Sequence, residues 1–280
     1  MPAMGQLSRG RTGEMKTIAF YNAKGGVGKT SSAINVAHIL SSRFGMRTLL
    51  IDLDPQSNAT DFYDCYDDTE TQLTVEDLLV GTVERTKGLA QAVSPDDVIQ
   101  HTAFEGLDII PDRLSLGRAE KNLLKETVTP QQFKLANQIR RIEDRYDYCI
   151  LDCSPSLESL VNVNGLAAAD AVFVPLKCDK WASRGLDASL TVIHTVSTYN
   201  YNLMFGGCFY VQWEERKINR AAFDNLQEQL GEKMLDIKIR KNKSVEEISY
   251  MGEPLLMYDP KATATQDYVR LTEKIMEIMG

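Results

Sequence analysis

The sequence has 280 residues, 43% hydrophobic and 25% charged, with a formal net charge of −8. That make-up fits a globular chain able to bury a sizeable core, and the negative balance excludes a protein that coats nucleic acid over its whole surface. No run of about 18 apolar residues occurs, and the N-terminus lacks the charged, apolar, small-residue order of a secretory signal, so a cytoplasmic chain that does not cross a membrane is expected.

Residues 1–14 are rich in Gly, Ser and Arg without apolar periodicity and read as a disordered leader, with Met15 a second possible start and a single domain expected over 15–280. Thr17–Tyr21 is a short apolar strand, a glycine-rich loop follows, and Ser31–Phe44 carries Ile34, Ala37, His38 and Leu40 at helical spacing. Thr48–Asp52 is a continuous apolar run ending in acid, the pattern of a strand buried on both faces of a parallel sheet. Asp61–Gln72 is the least regular stretch, an acidic loop. The same strand grammar returns at Leu107–Pro111, Tyr148–Asp152, Ala171–Pro175 and Gly207–Val211, with helical stretches between, then at Ile237–Ile239 before a closing helix over Thr263–Met279. Alternation of this kind implies βαβ crossovers and an α/β fold: a doubly wound, mostly parallel sheet with helices on both faces and its site at the carboxyl ends of the strands.

The five cysteines (Cys65, Cys149, Cys153, Cys178, Cys208) are odd in number and form no CxxC pair, so they read as buried free thiols. None of the three histidines (His38, His101, His194) lies near a strand-end acid, which gives a Ser-His-Asp or metal–histidine site little support, and His38 is assigned to the core.

Lys24-Gly25-Gly26-Val27-Gly28-Lys29-Thr30 lies between a predicted strand and a predicted helix, the context a phosphate-binding loop requires. Glycines let backbone N–H groups turn around phosphate oxygens, and the helix beginning near Ser31 presents its positive end. Lys29 supplies a charge to the β- and γ-phosphates, and the Thr30 hydroxyl can ligate Mg²⁺. Residues 24–31 are therefore the expected ATP-binding set. Two acidic clusters fall at strand ends: Asp52-Leu53-Asp54-Pro55-Gln56, and Leu151-Asp152-Cys153-Ser154-Pro155.

An ordinary P-loop has glycine where Ala23 stands, and here a second lysine, Lys24, follows. KGGVGKT resembles the deviant Walker A ATPases, a P-loop NTPase group that includes ParA, MinD and the nitrogenase iron protein. The stretch LLIDLDPQSNAT (Leu49–Thr60), together with LDCSPSL (Leu151–Leu157), AADAVFVPLKCDKWASRGL (Ala168–Leu186) and IRKNKSVEEISYMGEPLLMYDP (Ile239–Pro260), is similar to the ParA branch in its short form. That resemblance implies an ATPase with Mg²⁺ as cofactor, in which Lys24 reaches the nucleotide of a second copy and so makes dimerisation depend on ATP. It implies that Asp52 and Asp152 hold Mg²⁺ through water and that Asp54 positions or activates the attacking water. It further implies an ATP-state homodimer that binds DNA without sequence preference, association with the nucleoid, and a ParB-like partner that stimulates hydrolysis.

The candidate DNA surface is Lys238, Arg240, Lys241 and Lys243, joined by Arg216, Lys217 and Arg220; phosphate contacts from such a patch are sequence-blind and salt-sensitive. After Val211 this chain has Gln212-Trp213-Glu214-Glu215, where the family shows a threonine and a short arginine–threonine turn, and Trp213 is read as a candidate partner contact. The alternative is a recruitment module for a protein cargo that uses the same ATP-dependent dimer with weak or no DNA binding. The closing helix mixes Asp267, Glu273 and Glu277 with Arg270 and Lys274, which suits packing on the sheet better than binding anionic lipid.

Overall fold

The computed structural model describes residues 15–66, 72–85, 89–113, 123, 130–157 and 159–280. The predicted leader at 1–14 and residues 67–71 of the predicted acidic loop lie outside the described residues. The strands are β1 (Lys16–Phe20), β2 (Thr48–Leu53), β3 (Thr82–Arg85), β4 (Leu89–Ala92), β5 (Gln100–His101), β6 (Leu107–Ile110), β7 (Tyr148–Cys153), β8 (Ala171–Lys177), β9 (Met204–Trp213) and β10 (Met234–Arg240). The helices are α1 (Lys29–Ser42), α2 (Asn58–Phe62), α3 (Val75–Val80), α4 (Pro95–Val98), α5 (Lys134–Ile139), α6 (Leu160–Ala168), α7 (Ala182–Ser197), α8 (Lys217–Leu230), α9 (Lys243–Met251), α10 (Leu255–Tyr258) and α11 (Thr263–Met279).

Eight strands form one sheet in the order β10-β9-β8-β1-β7-β2-β6-β5, parallel throughout except for β5, which pairs antiparallel at the edge. Helices cover both faces because successive side chains of each inner strand are apolar: Ile18 and Phe20 of β1 join the core under α1 and α11, whereas Ala19 and Tyr21 join the core under α6 and α7. α1 is buried along nearly its whole length, as a helix caught between the sheet and α11 must be. His38 is in this core, with its ring edge-on to Phe104, and burial pushes its pKa down to about 4. The chain leaves β1 towards β2 on one side, and the later crossover from β7 lands on β8 at the other side. The carboxyl end of β1 is therefore a topological switch point, where doubly wound sheets bind ligands.

Several boundaries differ from the sequence reading. α2 takes Asp61 and Phe62 out of the predicted acidic loop, and the β3–β4 pair was not expected. β9 runs two residues beyond Val211. Gln212 adopts φ 51°, which breaks the strand's alternation and turns Trp213 back into the core against Tyr210 and Phe223. Trp213 is only 4% exposed and packs as a core residue, which overturns its reading as a partner contact. Four cysteines are buried and Cys178 is half-buried, all of them free. No helix among the described residues is long and apolar enough to cross a membrane.

Candidate nucleotide-binding and active site

The loop Asn22–Gly28 leaves β1 and enters α1 directly, so its N–H groups gather at the helix's positive end. Gly28 stands at φ 75°, and a Cβ there would meet the Val211 side chain at 3.3 Å, so glycine is required twice over. Distant residues fix the loop's first turn. The Asn22 side chain donates to the Pro175 carbonyl (2.8 Å) and accepts from the Lys24 amide (2.9 Å), while the Ala23 amide donates to Ser189 Oγ of α7 (3.0 Å). The Lys24 ammonium pairs with Asp179 of its own chain, each side chain about a third exposed. The Lys29 ammonium is buried and donates to the Lys24 carbonyl at 3.2 Å.

A cleft of about 560 Å³ opens over this loop, lined by Gly25, Gly26, Gly28, Lys29, Thr30 and Ser31 on one side, and by Asp54–Gln56, Asn58 and Ser154–Ser156 on the other. Parallel register places Asp52 of β2 directly beside Asp152 of β7, both fully buried, at neighbouring strand ends only about 4.8 Å apart. Two carboxylates so placed resist simultaneous ionisation. Burial pushes Asp52 up to about 6, partly offset by hydrogen bonds from Thr60 and the Asp54 amide. Asp152 rises well above the usual range through burial and the charge of Asp52, with Thr30 and Lys29 pulling the other way. Burial likewise lowers the pKa of Lys29, against the attraction of Asp152 and Asp54. Apart from the Thr30 hydroxyl beside it, no described group hydrogen-bonds the Asp152 carboxylate. A buried carboxylate with spare lone pairs beside a threonine hydroxyl is a hard-oxygen donor set of the kind that suits Mg²⁺.

The segments that carry these acids are themselves clamped. The Asp54 carboxylate accepts from the Gln56 amide (3.1 Å), and the Asn162 side chain donates to the carbonyls of Ser154 (3.0 Å) and Ser156 (2.8 Å). Near Asp52 lies an acid that the sequence reading missed: Asp112, fully buried, with no side-chain hydrogen-bond partner among the described residues, its pKa pushed up to about 9 chiefly by burial and the charge of Asp52, against a pull from the Arg113 amide. An acid whose folded pKa lies so far above 3.8 keeps a proton that the unfolded chain releases, so its cost to stability grows as pH rises from about 4 to about 9. Asp112→Asn, which removes that ionisation, is expected to raise stability without Mg²⁺ by about 2–5 kcal/mol at pH 8 and by less at pH 5. Melting curves at the two pH values check this, and an equal or lower melting temperature at pH 8 contradicts it.

A second, narrower cavity shares Gly28 and Ser31 with the cleft and is walled by Val211, Gln212, Arg240, Lys241 and Asn242. Arg240 is held there by the buried carboxylate of Asp267, through Nε and Nη2 at 2.8 Å each. Four other residues of the expected basic patch are also engaged. Arg216 and Lys241 pair with Glu214, and Arg220 pairs with Glu215. Lys238 pairs with Asp236 and lies 3.6 Å from the Phe223 ring centroid. Lys217 and Lys243 have no ion-pair partner among the described residues.

A family model described as an AAA domain matches residues 15–205. The sporulation initiation inhibitor protein Soj of Bacillus subtilis is 30% identical, over 93% of this chain and 98% of its own. The chromosome partitioning protein ParA of Caulobacter vibrioides is 32% identical over 94% of each. The chain belongs to the ParA family of partition ATPases. Cobyrinic acid a,c-diamide synthase of Mycobacterium smegmatis, solved with an ATP analog and magnesium, superposes on this ParA-family chain with a TM-score of 0.77 at 25% identity, covering 94% of this chain and 95% of its own. A putative plasmid partition protein of Borrelia burgdorferi shares the fold at a TM-score of 0.73 and 24% identity, over 95% of this chain and 98% of its own.

Proposed function

We propose that this chain is an ATPase that dimerises around ATP, binds DNA without sequence preference in that state, and drives plasmid or chromosome partition with a ParB-like stimulating partner. It would act in the cytoplasm, on the nucleoid. The observation that carries the reading is a single loop with two lysines in different settings: Lys29 buried against Asp54 and Asp152, and Lys24 at the rim, paired with Asp179.

In this reading the loop amides and Lys29 bind the phosphates, and the cavity beside Gln212 and Arg240 takes the base. Thr30, Asp52 and Asp152 would hold Mg²⁺, the two acids through water, and the ion when bound would neutralise charge on the β- and γ-phosphates. Asp54 orients the water for in-line attack, so catalysis is positioning and electrostatics rather than covalent chemistry. Lys24 exchanges Asp179 for the phosphates bound to a second copy. Facing loops without those phosphates would bring uncompensated positive charge together, which makes dimerisation conditional on ATP. Loss of the γ-phosphate removes the anchor for the segments after Asp54 and Asp152, as in other nucleotide switches.

Lys24→Ala is expected to bind ATP but to elute as a monomer in size-exclusion chromatography with ATP, where the unaltered chain elutes as a dimer. A dimer in both removes Lys24 from the interface. Retention on random-sequence DNA, measured with ATP, with ADP and without nucleotide at two salt concentrations, tests the DNA step. A second reading replaces DNA by a protein cargo. It is favoured by the pairing of Arg216, Arg220, Lys238, Arg240 and Lys241 with carboxylates of their own chain. Salt-sensitive retention that appears only with ATP supports partition on DNA, and its absence supports the cargo reading.

A further inference from the structure

We propose that Thr60 is a positioning residue for Asp52, fixing the orientation in which that carboxylate presents an oxygen to the ion; this rests on the reading that Asp52 and Asp152 hold Mg²⁺. Thr60 lies on α2, in the segment that follows Asp54, and is fully buried. Its amide and its hydroxyl both donate to Asp52 Oδ2, at 2.9 and 2.8 Å. The same hydroxyl accepts from the Asp112 amide at 2.9 Å. A hydroxyl has one proton to give, and with an N–H already pointing at its oxygen that proton is committed to Asp52.

The consequence for Asp52 is asymmetry. Oδ2 is filled by two short hydrogen bonds, whereas Oδ1 accepts a single longer one, from the Asp54 amide at 3.2 Å. The carboxylate cannot turn without breaking both Thr60 bonds at once, so its plane is held and Oδ1 keeps acceptor capacity beyond its one bond. Partners behind a ligand commonly set the affinity of the ion in front of it, by 10- to 100-fold in about the best-studied sites. Thr60 also joins the end of β2 to Asp112, two residues beyond β6, through the segment that carries Asp54.

The test is Mg²⁺ titration of the binding of a fluorescent N-methylanthraniloyl ATP to the full chain. Thr60→Val keeps the shape and removes the hydroxyl; it also leaves the Asp112 amide without an acceptor, so lower thermal stability is expected on any account and is not the readout. The Mg²⁺ midpoint of Thr60→Val is expected about ten-fold or more above that of the unaltered chain, with binding in EDTA unchanged. Thr60→Ser, which keeps the donor, is expected within about two-fold of the unaltered chain. In an Asp52→Asn background, Thr60→Val is expected to add no further shift, because its effect runs through that carboxylate. An unchanged midpoint in Thr60→Val, serine behaving like valine, or a full additional shift in the Asp52→Asn background would overturn the role of Thr60 alone. If the unaltered chain shows no Mg²⁺ dependence at all, the metal-site reading falls and the role of Thr60 falls with it.

Discussion

Lys29→Ala is expected to weaken ATP binding by a factor of roughly 10² to 10³ or more, to below detection in a filter or fluorescence assay at micromolar nucleotide. The Lys29 ammonium is 5% exposed and sits among Asp152, Asp54 and the Lys24 carbonyl. Its loss removes one partner of a buried charged contact, which costs about 3–5 kcal/mol when the other partner stays. Two effects can be separated. Without nucleotide, Lys29 is the cation that offsets Asp152 and Asp54, so its removal pushes Asp152 still further from ionising. The variant therefore loses stability as pH rises, whereas at pH 5, where Asp152 holds its proton more readily, it melts close to the unaltered chain. A variant that folds normally at pH 5 and still binds no ATP there isolates the phosphate contact from the structural one. Undiminished ATP binding would remove Lys29 from the phosphate site.

The parts of this site that could be read from the sequence are those built from short stretches of chain. A strand, a glycine loop and a helix within about 25 residues define the phosphate cradle, and an apolar run that ends in acid announces a carboxylate at a strand end. Register does the rest: once β2 and β7 are neighbours, Asp52 and Asp152 must stand side by side. What stayed hidden depends on contacts between residues far apart in the chain. Thr60 meets the amide of Asp112 52 positions away, and Ser189 reaches the Ala23 amide across 166. Neither has a local signature, because a threonine in a short helix and a serine inside α7 are ordinary residues until the sheet brings their partners to them.

The narrow cavity beside Gly28 and the ion pairs of the basic residues were missed for a related reason. The run from Gln212 to Lys217 is polar and charged, so it reads as surface loop; the left-handed turn at Gln212 that returns Trp213 to the core leaves no mark in the residue pattern. The surroundings of Arg240 were equally hidden. Its guanidinium pairs with Asp267, a residue of the closing helix whose fully buried carboxylate it shares with Arg270, and Arg240 belongs to the wall of the cavity next to Gly28. A planar fork held bidentately by a carboxylate is fixed in orientation, a property that no count of charged residues reveals.

Asp54→Ala is expected to abolish phosphate release, by about 10²-fold or more, while leaving ATP binding and the ATP-dependent dimer intact. Asp54 lines the cleft and is nearly buried, yet its carboxylate makes no bond to Lys29 or Thr30; its partner is the Gln56 amide. The carboxylate is thus bonded within its own segment and faces the cleft, which suits a group that orients water rather than one that grips phosphate. Removing it also has a predictable electrostatic effect. The charge of Asp54 adds to those that hold Asp152 and Asp112 above their ordinary values, so alanine relieves like-charge repulsion, and the lost turn contact to Gln56 offsets that gain. Thermal stability without nucleotide is therefore expected to stay within about 1 kcal/mol of the unaltered chain, and a loss of turnover in this variant is not a loss of fold. With hydrolysis blocked, the proposed contact of Lys24 with the phosphates of a second copy would persist. Size-exclusion chromatography should then show a dimer that persists for hours in ATP, where the unaltered dimer decays as ATP is consumed. Undiminished phosphate release by Asp54→Ala would assign the water to another residue and leave Asp54 as a turn former only.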